Sequence, residues 1–218
     1  MMKLFVPAVI ALSMLFTSAS MAETKTMKTK PVAESAEWVS PLLNGQMVPN
    51  VDAVTIDGKS KPLKDVLAGK KTILFFYRGG WCPFCNTQMG QLKQLEPELK
   101  KAGFQLIGVS TDAPADLKKS VDSMSLEYQL LSDYNSTISQ AFGLAFFTSQ
   151  KTTERYLAAM KLSNPLQKNA DGEERLVLPV PAIYVIDGKG LVQFSYVNPN
   201  FRVRLQPEIL LAAAKLVK

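Results

Sequence analysis

Three short apolar runs, residues 73–77, 106–109 and 182–186, are each bounded by turn residues and lack the polar–apolar alternation of a strand with one wet face. Strands of this kind must be covered on both faces, which limits the chain to a sheet sandwiched between helices. Helical periodicity supplies the cover. Met89, Leu92, Leu95 and Leu99 recur on one face after the first run, with Pro97 predicting a kink among them. After the second run, Asp112 can cap a helix carrying Leu117, Val121 and Met124, and Asn135 can cap another carrying Ile138 and Phe142. The third run leads through Asp187-Gly188-Lys189-Gly190 into Val192, Phe194 and Tyr196 alternating with Gln193 and Ser195, the pattern of an edge hairpin. Pro207 opens a last helix with Ile209, Leu210, Ala213 and Leu216 on its apolar side. With an extra strand over 51–57 and a short helix over 62–68, the expectation is an α/β fold, a central mixed sheet flanked by helices on both faces.

The first 22 residues read as a secretory signal. Lys3 precedes an apolar stretch over 4–16, small residues follow over 17–22, and Ser20 and Ala22 occupy the positions expected before a cut after Ala22. The stretch is short for a membrane span, so no stable insertion is expected once it is removed. Residues 23–50 are expected to form a flexible leader and residues 51–218 a single domain. Within that domain, 144–178 breaks the strand–helix alternation: 150–161 looks helical and 164–174 looks like loop, either a lid over the site of the two cysteines or a plain surface insertion. Cleavage removes one lysine and no acid, taking the formal charge from +6 to +5. The lysines and arginines are scattered without interleaved aromatics, which gives no support to nucleic-acid binding.

The only two cysteines stand in Trp81-Cys82-Pro83-Phe84-Cys85, between the first apolar run and the helical pattern behind it. A bond between them would close a very small loop and do little to stabilise the fold, so it is better suited to opening and closing than to stapling. The first turn of a helix, with its unpaired N–H groups and dipole, favours thiolate over thiol. With no histidine and no further cysteine, a zinc site lacks ligands and activation by an imidazole is excluded. No cofactor or metal is expected. An exported dithiol is kept oxidised unless something reduces it, so a reducing thiol or dithiol protein must be a partner.

Residues 75–88, reading Phe75-Phe76-Tyr77-Arg78-Gly79-Gly80-Trp81-Cys82-Pro83-Phe84-Cys85-Asn86-Thr87-Gln88, resemble the peroxiredoxin-like (alkyl hydroperoxide reductase and thiol-specific antioxidant) branch of the thioredoxin fold. Gly108-Val109-Ser110-Thr111-Asp112, Leu131-Ser132-Asp133 and Val185-Ile186-Asp187-Gly188 carry the same resemblance, which runs from about residue 51 onward. It implies a thioredoxin-like fold and a thiol peroxidase acting on hydrogen peroxide or alkyl hydroperoxides and compatible with a homodimer; with the secretory signal, the expected location is the bacterial periplasm. In the peroxiredoxin register Cys85 is the attacking sulfur, and Cys82 replaces the threonine or serine three residues before it. In the thioredoxin register Cys82 attacks and Cys85 resolves, which would make the chain a thiol-disulfide oxidoreductase acting on proteins. The late-strand arginine of peroxiredoxins falls on Pro181, a place where thioredoxin-like reductases carry a cis-proline. A peroxidase would therefore need a substitute cation, with Arg78 nearest in sequence and Arg202 and Arg204 as alternatives. Trp81 and Phe84 would wall the site.

Overall fold

The protein is described by a computed structural model which, apart from Met1, covers residues 30–217. The signal sequence and its cut after Ala22 lie outside the described residues. In chain order the elements are β1 (Asp52–Thr55), β2 (Ser60–Pro62), α1 (Leu63–Leu67), β3 (Lys71–Tyr77), α2 (Pro83–Lys101), β4 (Phe104–Ser110), α3 (Pro114–Met124), β5 (Gln129–Ser132) and α4 (Thr137–Ala141). They continue with β6 (Ala145–Phe147), α5 (Gln150–Met160), β7 (Gln167–Lys168), β8 (Glu174–Arg175), β9 (Val177–Pro179), β10 (Ala182–Ile186), β11 (Val192–Val197) and α6 (Pro207–Leu216).

Seven strands form one mixed sheet in the order β11-β10-β3-β4-β5-β1-β2. β3, β4 and β5 run parallel, and β10 lies antiparallel to β3 with Ala182 opposite Phe76. The pleat sends alternate residues of each strand to opposite faces. Ile73, Phe75 and Tyr77 of β3 join Ile183 and Val185 of β10 in a core closed by Met89, Leu92, Leu95 and Leu99 of α2, Leu117 of α3 and Leu210 of α6. Leu74, Phe76, Tyr184 and Ile186 face the other way, onto Leu63 and Leu67 of α1 and Ile138 and Phe142 beside α4. The central mixed sheet with helices on both faces expected from the apolar runs is what forms, in agreement with the thioredoxin-like fold that the resemblance implies.

Several local expectations differ. α2 runs unbroken through Pro97. Asp112 does not cap α3, whose N-cap is Ala113, and Asn135 does not cap α4, whose first N–H groups, those of Ile138 and Ser139, are received by the buried Asp133 carboxylate at 2.7 and 2.8 Å. On α6 the buried positions are Leu210 and Ala214, while Ile209 and Leu216 point to solvent. The part of 164–174 expected as loop contributes a strand to the small β7–β8 hairpin.

Residues 30–50, expected as part of a free leader, lie against the domain. Ala33 bridges Phe146, the Ser40 and Leu42 N–H groups donate to the carbonyls of Gly143 and Phe142, and those of Gly45 and Val48 to the carbonyls of Val192 and Gly190. The chain passes so close at Gly143 that a Cβ there would stand 2.0 Å from the Ser40 carbonyl oxygen, at a φ of +68° that itself favours glycine. No helix among the described residues is long and apolar enough to cross a membrane.

Candidate active site

β3 ends at Tyr77, and the loop from Arg78 to Trp81 turns the chain into α2. Gly79 takes a φ of +150°, and a Cβ on it would meet the Trp81 indole nitrogen at 2.2 Å and the Asp112 carboxylate at 2.6 Å. The loop is held from three directions. The Gly80 N–H donates to Asp112 Oδ2 at 2.7 Å, Asn86 Nδ2 donates to the Gly80 carbonyl at 2.8 Å, and Thr111 Oγ1 donates to the Arg78 carbonyl at 2.9 Å. Thr111 and Asp112 at the end of β4 thus fix the thiol loop. Burial pushes the Asp112 carboxyl up to about 6, against the pull of the Gly80 N–H.

Cys82 is the N-cap of α2 and Pro83 its first residue, where the missing N–H costs nothing. Cys85 stands within the first turn, its backbone N–H on the Cys82 carbonyl at 3.0 Å. Both cysteines are free thiols and both are buried. Their titrations are linked. The hydrogen bond from Cys85, its backbone N–H and the charges of Arg78 and Arg204 hold Cys82 down to about 6, against burial. Burial and the neighbouring Cys82 push Cys85 up, while Arg204 pulls it down. One proton is therefore shared between two sulfurs at neutral pH, and the charge belongs to the pair.

Of the three candidate arginines, Arg204 reaches the sulfur. Its Nη2 donates to Cys85 Sγ at 3.3 Å and its Nη1 to Gln88 Oε1 at 2.8 Å, while Nε donates to the Phe201 carbonyl at 2.9 Å. Gln88, one helical turn beyond Cys85 on the same face of α2, orients the fork. Arg78 is 4% exposed and sits among rings, its guanidinium carbon 4.0 Å from the Phe201 centroid, 5.0 Å from Trp81 and 5.1 Å from Tyr156, to whose hydroxyl it donates. It acts on Cys82 through its field. Arg202 only flanks the Phe201 ring, at 5.4 Å.

Trp81 and Phe84 stand beside Cys82. With Arg78, Tyr156 and Phe201 they border a cavity of about 290 Å³ on which Cys82 opens. Phe84 packs edge-on against Phe201 at 5.7 Å. Tyr156 comes from α5, so the 144–178 segment supplies a wall of the thiol cavity, through a residue that its sequence did not single out. Pro181 is not a cis-proline: no cis peptide bond occurs among the described residues. It borders a neighbouring cavity of about 500 Å³ on the other side of Arg78. Among the described residues no cluster of cysteine and carboxylate side chains has the makings of a metal site.

Residues 44–195 match the AhpC/TSA family. Among curated proteins the chain is similar to peroxiredoxin Bcp of Escherichia coli K12, 32% identical over 106 residues that make up 49% of this chain and 67% of that protein. It is also similar to the chloroplastic peroxiredoxin Q of Triticum aestivum, 28% identical over 164 residues, 75% of this chain and 61% of the other. Reduced Prx3 of Vibrio vulnificus in complex with hydrogen peroxide superposes with a TM-score of 0.64 at 20% identity, over 79% of this chain and 99% of that one, which shows the shared fold.

Proposed function

The chain belongs to the AhpC/TSA family and is a thiol-dependent peroxidase, and we propose that Cys85 attacks the peroxide while Cys82 resolves the product. The observation that carries this assignment is the Arg204 guanidinium on Cys85 Sγ, with Gln88 fixing its fork. A cation in that position stabilises the thiolate and lies where the peroxide oxygens must approach.

Passing the shared proton from Cys85 to Cys82 makes Cys85 the thiolate, which attacks one peroxide oxygen; the O–O bond breaks, and the sulfur becomes a sulfenic acid. The departing hydroxide or alkoxide takes the proton held by the Cys82 thiol and leaves as water or alcohol. That transfer makes Cys82 the thiolate, which displaces hydroxide from the sulfenic acid and closes the disulfide. An external dithiol then restores both thiols by exchange, becoming a disulfide itself. The single proton shared by the pair is thus consumed in the first step and its loss arms the second.

A second assignment, with Cys82 attacking first, draws on two observations: Cys82 is the sulfur that lines the cavity, and its thiol is held down to about 6. The two are separated by Cys82→Ser and Cys85→Ser, each mixed with peroxide and a sulfenic-acid probe. Attack by Cys85 predicts a trapped sulfenic acid in Cys82→Ser and none in Cys85→Ser; the opposite pattern overturns it. Export to the periplasm is supported by the composition of residues 1–22, and N-terminal sequencing of the secreted protein should begin at Glu23.

A further inference from the structure

The thiol cavity and the larger cavity beside Pro181 have four lining residues in common: Arg78, Arg155, Tyr156 and Phe201. Two of the four are cations, and among the described residues neither has a carboxylate within ion-pair distance. Arg78 is the unusual one. It is buried, its Nε has no hydrogen-bond partner, its contacts are aromatic faces and the Tyr156 hydroxyl, and the only negative charge it feels is the more distant one of the thiol pair. A buried charge with no anion in contact is costly, and that cost falls when an anion enters. Arg155, on the exposed side of α5, has its guanidinium 5.0 Å from the centroid of the Tyr156 ring, so both cations stand within about 5 Å of the same ring. No acid lines the thiol cavity, and the single acid of the larger one, Glu37, belongs to the N-terminal segment and is engaged by Ser35. Apart from Cys82, the remaining walls of the thiol cavity are apolar, Trp81, Pro83, Phe84, Ala159 and Met160, and with Phe201 they suit a compact organic body.

We propose that this junction is an anion subsite, and that the preferred substrates are organic hydroperoxides carrying a carboxylate on a compact apolar frame. The carboxylate would face Arg155 and Arg78, the frame would lie on Trp81 and Phe201, and the peroxide would be directed to the thiols. This rests on the peroxidase reading and adds to it a recognition element distinct from Arg204, which serves the reacting sulfur.

The test compares cumene hydroperoxide with its para-carboxylate, which share one frame and one peroxide and differ by a single charge. In the wild type the carboxylate should have a kcat/KM about tenfold higher, the difference lying mainly in KM. In Arg155→Gln the ratio of the two substrates should fall to about one, and Arg155→Lys should retain part of it; taking the ratio within each protein cancels any general loss of activity. Equal use of the two substrates by the wild type overturns the proposal, as does a ratio unchanged in Arg155→Gln. A raised KM for the dithiol reductant in Arg155→Gln with an unchanged ratio also overturns it, by assigning the arginine to partner docking. Calorimetric titration with 4-isopropylbenzoate, which has no peroxide, reads the subsite separately. Arg155-dependent binding of that acid in a protein that consumes no hydroperoxide would sink the peroxidase reading and leave the subsite standing, whereas absence of binding sinks the subsite.

Discussion

Replacing Arg204 by methionine, of similar reach and no charge, removes the one cation in contact with Cys85, and the structure fixes how large the effect must be. At the 3.3 Å separation of Nη2 and Sγ, two unit charges attract by about 1.3 kcal/mol at the dielectric of water and about 5 kcal/mol at an effective value of ~20. Desolvation of the guanidinium offsets part of the upper figure. What remains falls near the ~1.5–3 kcal/mol typical of a hydrogen bond to a charged group, or about 1–2 pKa units. The measurement belongs in a Cys82→Ser background, where one sulfur titrates alone, and uses the pH dependence of alkylation alongside peroxide consumption. Losing the cation raises the Cys85 pKa, so the rate at neutral pH should fall about 10- to 100-fold and recover in part as pH rises. Arg204→Lys should lie between, since an ammonium keeps the charge and loses the fork shared with Gln88. An alkylation pKa that moves by less than about 0.3 units, with peroxide consumption within about twofold of the parent, would falsify the role given to this arginine.

Three further perturbations test the scaffold around the thiols. The Asp112 carboxyl is raised from 3.8 to about 6 in the folded protein, so the folded state holds its proton over that interval while the unfolded state has lost it; stability should decline as pH rises from about 4 to 6. Asp112→Asn should flatten that decline by at most about 3 kcal/mol in urea titrations across the interval, with Asp133 leaving its own contribution in both proteins. Gly143→Ala puts a Cβ 2.0 Å from the Ser40 carbonyl oxygen and should cost more than about 2 kcal/mol; limited proteolysis should then cut within residues 30–50 faster than in the parent. Tyr156→Phe deletes the hydroxyl that receives Arg78, and a loss of about 1.5–3 kcal/mol in urea unfolding is expected; an unchanged midpoint would show that the rings alone hold the guanidinium.

The sheet could be read from the sequence because its strands are buried on both faces and therefore uninterrupted by polar residues: the run over 182–186 is the whole of β10. Cys82 and Cys85 could be read because a strand–helix junction confines them to the first turn of α2. Caps were less legible, since Asp112 and Asn135 look like residues that begin helices, and only the tertiary surroundings decide which side chain receives a helix's first N–H groups. Asp112 turned to the thiol loop, while Asp133 reached past Asn135 into α4. On α6 the apolar residues outnumber the positions that the sheet can cover, so periodicity alone misplaced Ile209 and Leu216. The leader misled for another reason: its apolar residues, Leu42 and Val48 among them, follow neither helix nor strand periodicity, and the backbone hydrogen bonds that tie residues 30–50 to the domain leave no mark on the sequence. Gln88 was within reach of sequence reasoning, one turn from Cys85. Tyr156 was not, because nothing local says which part of a long excursion will fold back on a site.

Arg204 and Cys85 are 119 residues apart in the chain, and the guanidinium meets the sulfur only after the segment joining β11 to α6 has settled beside α2. A folding intermediate with β3 and α2 in place would present both thiols at a helix N-terminus without the cation that completes them. Full reactivity toward peroxide is thereby made conditional on tertiary closure. During refolding, the rate of peroxide consumption should lag behind the growth of helix and sheet, so the enzyme's own chemistry serves as a clock for the docking of that segment.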